Sequence, residues 1–141
     1  MKKAAVILAV FALIAGCGGK KDVKTVSYES RIYHEAFSVV EALRVAYLKK
    51  DFSAIAERAT KQGYSDIINS IRHFDSAELT FTPNWVSIEQ PKVFLNTSWK
   101  GTWTVGTETF RERGTAVFIL EGNPLRLSRV TRGNPFKYPE R

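Results

Sequence analysis

The chain has a single cysteine, two histidines and one methionine in 141 residues, and each scarcity excludes something. One cysteine closes no intrachain disulfide and builds no cysteine-rich metal site. His34 and His73 lie far apart, without the i, i+4 spacing of a helical zinc pair, so no metal site is expected. The sequence also lacks a Gly-x-Ser-x-Gly elbow, a phosphate-cradling glycine loop, a paired-acid motif and a nucleotide fingerprint, so no cofactor is expected. Its longest apolar run, Ala4 to Ala15, would rise only about 18 Å as a helix against a hydrocarbon core of about 30 Å. What is present is a globular balance, 44% hydrophobic and 25% charged.

The first residues read as an address. Lys2 and Lys3 precede the apolar run, and Gly16-Cys17 closes it with a small residue and a cysteine, the layout of a signal peptide over 1–16. The run Leu13-Ile14-Ala15-Gly16-Cys17 resembles the lipobox of bacterial lipoproteins. That resemblance implies cleavage between Gly16 and Cys17 and lipidation of Cys17, hence a membrane held through a lipid anchor. The alternative is an ordinary secreted protein with a cysteine near its cleavage site. Gly18 stands where an aspartate would favour inner-membrane retention, so the family rule implies an envelope protein at the outer membrane, facing the periplasm, if the cell has two membranes. Residues 17–26 read as the lipidated cysteine and a flexible tether, small and charged without apolar period.

Charge is unevenly spread. The chain carries 21 Lys and Arg against 14 Asp and Glu, a formal +7. Residues 17–89 hold ten of each sign, whereas residues 90–141 hold nine cations and four acids. A basic surface would suggest nucleic acid. Export argues against that partner, leaving phospholipid or lipopolysaccharide headgroups, phosphorylated polymers and acidic protein faces, or a solvated face with no dedicated partner.

From Tyr28 to Lys49, Ile32, Ala36, Val39, Val40, Leu43 and Tyr47 recur at three- and four-residue spacing, predicting a long amphipathic helix. Asp51 is a candidate N-cap for a second helix to Lys61, with Gly63 as its terminator, and Ser65 for a third to about His73. After Phe74 the period becomes two. Strands are expected at Ala77–Thr82 and Trp85–Glu89 around a Pro83-Asn84 turn, from Pro91 past Trp103, over Thr109–Leu120, and from Leu125 to Thr131. One face collects Val93, Leu95, Trp99, Gly101 and Trp103, then Phe110, Glu112, Phe118 and Leu120. Residues 133–141 read as an irregular tail.

Three helices followed by a curved antiparallel sheet of about four to six strands make an α+β domain over 27–132. Element order, the Tyr47-to-Phe52 link (YLKKDF) and long late strands carrying Trp99, Trp103 and Phe118 resemble the nuclear transport factor 2-like superfamily, a cone-shaped α+β barrel; another cystatin-like, helix-on-sheet arrangement is the second choice. The resemblance implies a conical cavity, with Tyr33, Phe37, Tyr47, Trp99, Trp103, Phe110 and Phe118 as lining candidates. The same aromatics would equally fill a core. Gly101 would mark a bend or leave room for a ligand.

The catalytic candidates are few. An inward Glu112 beside aromatics would be desolvated and its pKa raised, as an acid/base group requires, unless Arg129 lies close by. His34 is a candidate hydrogen bonder at the pocket mouth. Three functions stay open: a non-catalytic binding or assembly-accessory module for a small apolar ligand or an envelope protein, a pocket enzyme of the isomerase or dehydratase type, and a homodimer or docking domain using Phe94, Val117 and Ile119 on the outer face.

Overall fold

A computed structural model describes residues 24–140. Helix α1 (Tyr28–Leu48) starts at Ser27, whose hydroxyl accepts from the Ser30 N–H at 3.1 Å. It buries Ala36, Val40, Leu43 and Tyr47, one stripe at steps of four, three and four residues. Lys50 then takes a left-handed conformation, φ 56°, and its ammonium donates to the Phe74 carbonyl at 2.7 Å. Asp51 caps α2 (Phe52–Glu57) through a 3.0 Å bond from the Ala54 N–H.

From there the helices depart from expectation. Helix α2 ends at Glu57 rather than Lys61, and α3 (Lys61–Ile68) begins at Thr60, whose hydroxyl accepts from the Gly63 N–H at 3.2 Å. Gly63 is therefore in the first turn of α3 and terminates nothing, and Ser65 lies inside the helix. The glycine is required because α3 sits on the Leu127 backbone, where a Cβ would collide with the Leu127 carbonyl oxygen. A two-residue ladder fastens the junction below it: Leu127 N–H to Arg58 O at 2.9 Å and Thr60 N–H to Leu127 O at 2.8 Å.

The sheet is a four-stranded antiparallel meander in sequence order: β1 (Ser76–Glu89), β2 (Lys92–Val105), β3 (Glu108–Glu121) and β4 (Arg126–Arg132). Pro83-Asn84 is not a turn. β1 runs through it as one strand, with a bulge between Pro83 and Trp85 that absorbs Asn84. Proline is tolerated because β1 is an edge strand. Asn84 then reaches back over the sheet to Asn96 Oδ1 at 2.7 Å and Ser98 Oγ at 2.9 Å. On the β1 edge, Arg44 donates to the Leu79 carbonyl at 2.9 Å while Glu41 holds its guanidinium, also at 2.9 Å. The core lies between α1 and the inner sheet face, where Leu79, Phe81, Val93, Leu95, Phe118 and Leu120 meet Val40 and Leu43.

Candidate functional site

The expected cavity lies between α1 and the inner ends of β2 and β3, and glycines decide its filling. A Cβ at Gly101 would fall inside the Trp103 indole, and one at Gly114 would press against Trp99. Each glycine seats a tryptophan flat on the strand. The room at Gly101 is thus taken by Trp103, not left for a ligand. Trp103, fully buried, donates from Nε1 to the Tyr47 hydroxyl at 2.8 Å, and Tyr47 in turn donates to the Tyr138 carbonyl at 3.2 Å. Burial away from water pushes the Tyr47 phenol up to about 12, against a smaller opposing pull from the Trp103 N–H.

The remaining space is closed by the segment after β4. Gly133 donates its N–H to the Thr115 carbonyl at 3.0 Å and its carbonyl accepts from Trp99 Nε1 at 2.7 Å. A single 3-10 turn, Pro135–Lys137, follows, started by Asn134, which also donates to Ser70 Oγ at 3.1 Å. The turn drives Phe136, wholly buried, against Tyr47, Phe81 and Phe118 at ring separations of 5.1, 6.2 and 6.3 Å. Tyr138 lies over Trp99 and Trp103 at 5.0 and 5.8 Å. Where a conical cavity would open, the chain's own C-terminal segment is inserted.

Of the seven aromatic candidates, the structure brings Tyr47, Trp99, Trp103 and Phe118 together in this cluster. Phe110, opposite Trp103 on β3, is partly buried at its margin. Tyr33 and Phe37 instead stack on each other at 6.5 Å along α1, partly buried. Phe136, Tyr138, Phe74 and Phe81 complete the cluster, though none is among the expected lining residues. Two aromatics two residues apart between prolines, in the run Pro135-Phe136-Lys137-Tyr138-Pro139, are the available signal.

Glu112 does not sit in a desolvated site. It is exposed, in register with Gly101, because β4 pairs with β3 only from Ala116 to Glu121 and leaves the strand beyond uncovered. No bulge at Gly114 is responsible, since pairing runs unbroken through it. Arg129 shares no face with Leu127. A bulge at Ser128 reverses the alternation, so Arg129 stands opposite Ile119 on the outer face. His34 is exposed, its ring centre 5.3 Å from that of Tyr33 in an edge-to-face arrangement. Among the described residues, no three His, Cys, Asp or Glu side chains gather to hold a metal. Cys17 and Gly16 lie outside the described residues.

The outer face is divided. Toward the β1–β2 hairpin it presents Trp85, 50% exposed, beside partly buried Phe94 and Ile119, whereas Val117, expected on the exposed docking face, is buried there. Toward the β2–β3 hairpin it presents Lys100, Arg111 and Arg113 bordering a depression of about 620 Å³. At that hairpin, Asp75 accepts from the Gly106 N–H at 2.6 Å and faces His73 at 3.3 Å, and the first of these bonds, helped by the histidine, holds its carboxyl below the usual range.

In fold, the chain is similar to a solved structure described as a nuclear transport factor 2 (NTF2-like) superfamily protein from Salmonella enterica subsp. enterica serovar Typhimurium str. LT2. The two share 11% sequence identity, with a TM-score of 0.58 over 76% of this chain and 96% of that one. No family model matches the chain, and no curated protein matches it in sequence. An α+β domain of NTF2-like fold, with three helices on a curved four-stranded antiparallel sheet, is thus its architecture.

Proposed function

We propose that the chain is a lipid-anchored envelope protein whose NTF2-like domain docks a partner protein on the outer face of its sheet and carries out no reaction of its own. One observation carries this reading: the interior that would hold a small ligand is occupied by Phe136 and Tyr138, while Trp85 stays half exposed on the opposite face of the sheet. A large aromatic left in water at the middle of an edge strand, with partly buried Phe94 and Ile119 near it, has the composition of an interface centre rather than of a solvated face. Among the described residues, the interior supplies no ionisable acid/base pair. Its buried polar side chain among them is that of Thr97, with the phenol of Tyr47 kept neutral by burial; Asn96, also buried, belongs to the outer face beside Trp85. The lipobox-like run ending at Cys17 supports the anchor, and with about 0.8 kcal/mol gained per buried methylene two or more acyl chains would hold it firmly.

The reading is tested by placing a photo-crosslinking amino acid at Trp85 in the intact cell, with Glu41 on the helical side as control. A discrete adduct from position 85 alone, heavier than two copies of the chain can explain, is expected. An adduct of twice the chain's mass would assign the face to a homodimer. No adduct, or the same adducts from both positions, would reject the docking face.

A further inference from the structure

We infer that the outer sheet face also carries a binding site for a phosphoryl group, formed by Lys100, Arg111 and Arg113 near the β2–β3 hairpin. Strand register places Thr80, Lys100 and Arg113 in one cross-strand row and Glu78, Thr102 and Arg111 in the next. Alternation sends all six side chains to the same side, and all six border the depression of about 620 Å³. With strands about 4.8 Å apart and a two-residue step of about 6.6 Å, three cations, two hydroxyls and the Glu78 carboxylate share one small patch, and Glu112 borders the same depression, leaving cations in excess there.

The arrangement is costly without an outside partner. Lys100 stands directly opposite Arg113, a like-charge pair that repels across the strands. Ion pairs among the described residues join Glu41 to Arg44, Glu57 to Arg58, Asp75 to His73 and Glu140 to Lys137, so none engages these three cations. Glu78, in the same row as Arg111, does not reach it. An anion offsets the repulsion, and its geometry selects its class. Two guanidinium forks and an ammonium bordering one depression match the several terminal oxygens of a single phosphoryl centre. Carboxylates on an extended acidic peptide would instead present themselves singly, about 6.6 Å apart. Lys100 lies eight residues, about 26 Å, along β2 from Lys92, which borders the same groove as the first turn of α1. The site is therefore at the opposite end of the sheet from the point where the chain enters the domain.

The full chain in neutral detergent, titrated calorimetrically with sodium pyrophosphate at fixed ionic strength, is expected to bind one equivalent saturably. Arg113→Gln and Lys100→Gln should each weaken binding about tenfold or more. Arg129→Gln, on the same face but outside the depression, should not. Unliganded melting temperatures of the first two variants should be unchanged or higher, since each removes a repelling charge, and this separates a lost site from a lost fold. Co-sedimentation with phosphatidylcholine vesicles, with and without phosphatidic acid, identifies the source. Capture by the acidic vesicles in excess of that by the neutral ones, with the excess lost in Arg113→Gln, assigns the site to a lipid headgroup, and pyrophosphate binding with equal capture by both vesicles assigns it to a free phosphorylated ligand. Absence of saturable pyrophosphate binding, or binding that survives both substitutions, overturns the proposal. A polyglutamate peptide that binds where pyrophosphate does not would also overturn it and give the surface to an acidic protein.

Discussion

Tyr47 joins three parts of the molecule through one oxygen, accepting from Trp103 on β2 and donating to the Tyr138 carbonyl of the C-terminal segment. Its removal should act in two ways that pH separates. Near neutrality Tyr47→Phe leaves the buried Trp103 N–H unpaired, at a cost of about 1–3 kcal/mol. In alkali the native side chain is itself a liability. With a folded pKa near 12 against an ordinary 10, the unfolded chain ionises first, so stability present below pH 10 falls between pH 10 and 12, by about 3 kcal/mol in all. The phenylalanine variant lacks that loss. Urea midpoints at pH 7 and pH 11 should therefore show the two proteins converging; a constant gap would mean that the phenol is not held neutral by burial. Sequence periodicity placed Tyr47 on the inner stripe and Trp103 on the inner strand face, because both follow from local period. Their contact was not legible. It depends on Gly101 letting the indole lie flat, a tertiary fact with no trace in spacing.

Among the elements, those set by local chemistry were readable and those set by their neighbours were not. Asp51 at the start of α2 acts through its own backbone, as expected, and the helical expectation at both ends of α1 agrees with the structure to about one residue. Gly63 looked like a terminator, yet its role comes from Leu127, far along the chain. Pro83-Asn84 looked like a turn, yet at a sheet edge proline is tolerated and a bulge takes up the asparagine. The same effect at Ser128 inverted Arg129. The least legible element is the segment after β4, irregular but for one 3-10 turn, since its prolines and glycine conceal that Phe136 is core and Tyr138 packs against it. Phe136→Ala should therefore cost about 3–5 kcal/mol, a large fraction of the 5–15 kcal/mol typical of a whole domain. Loss should appear as a lower midpoint of the single cooperative transition, read by tryptophan fluorescence, because Trp99 and Trp103 share the cluster. An unchanged midpoint would demote the segment to a surface appendage.

At the scale of the molecule, the two ends of the sheet have different surroundings. The first turn of α1 is held against the β1–β2 hairpin by Gln90, which donates to the Tyr28 hydroxyl at 2.9 Å, and the groove there also includes Gly122 and Asn123 of the β3–β4 turn. The chain enters the domain at this end. If Cys17 carries the proposed anchor, these hairpins lie nearest the bilayer and the basic depression faces away from it. Fold and anchor should then be separable, because no contact described in the domain depends on the cysteine. Cys17→Ser is expected to leave the melting transition unchanged while moving the protein from the detergent-extractable membrane fraction to the soluble one. Its amino terminus should carry no acyl mass. A variant that remains with the membrane, or a wild-type chain whose mass shows residues 1–16 retained and Cys17 bare, would remove the lipid anchor and with it the orientation of both outer-face surfaces.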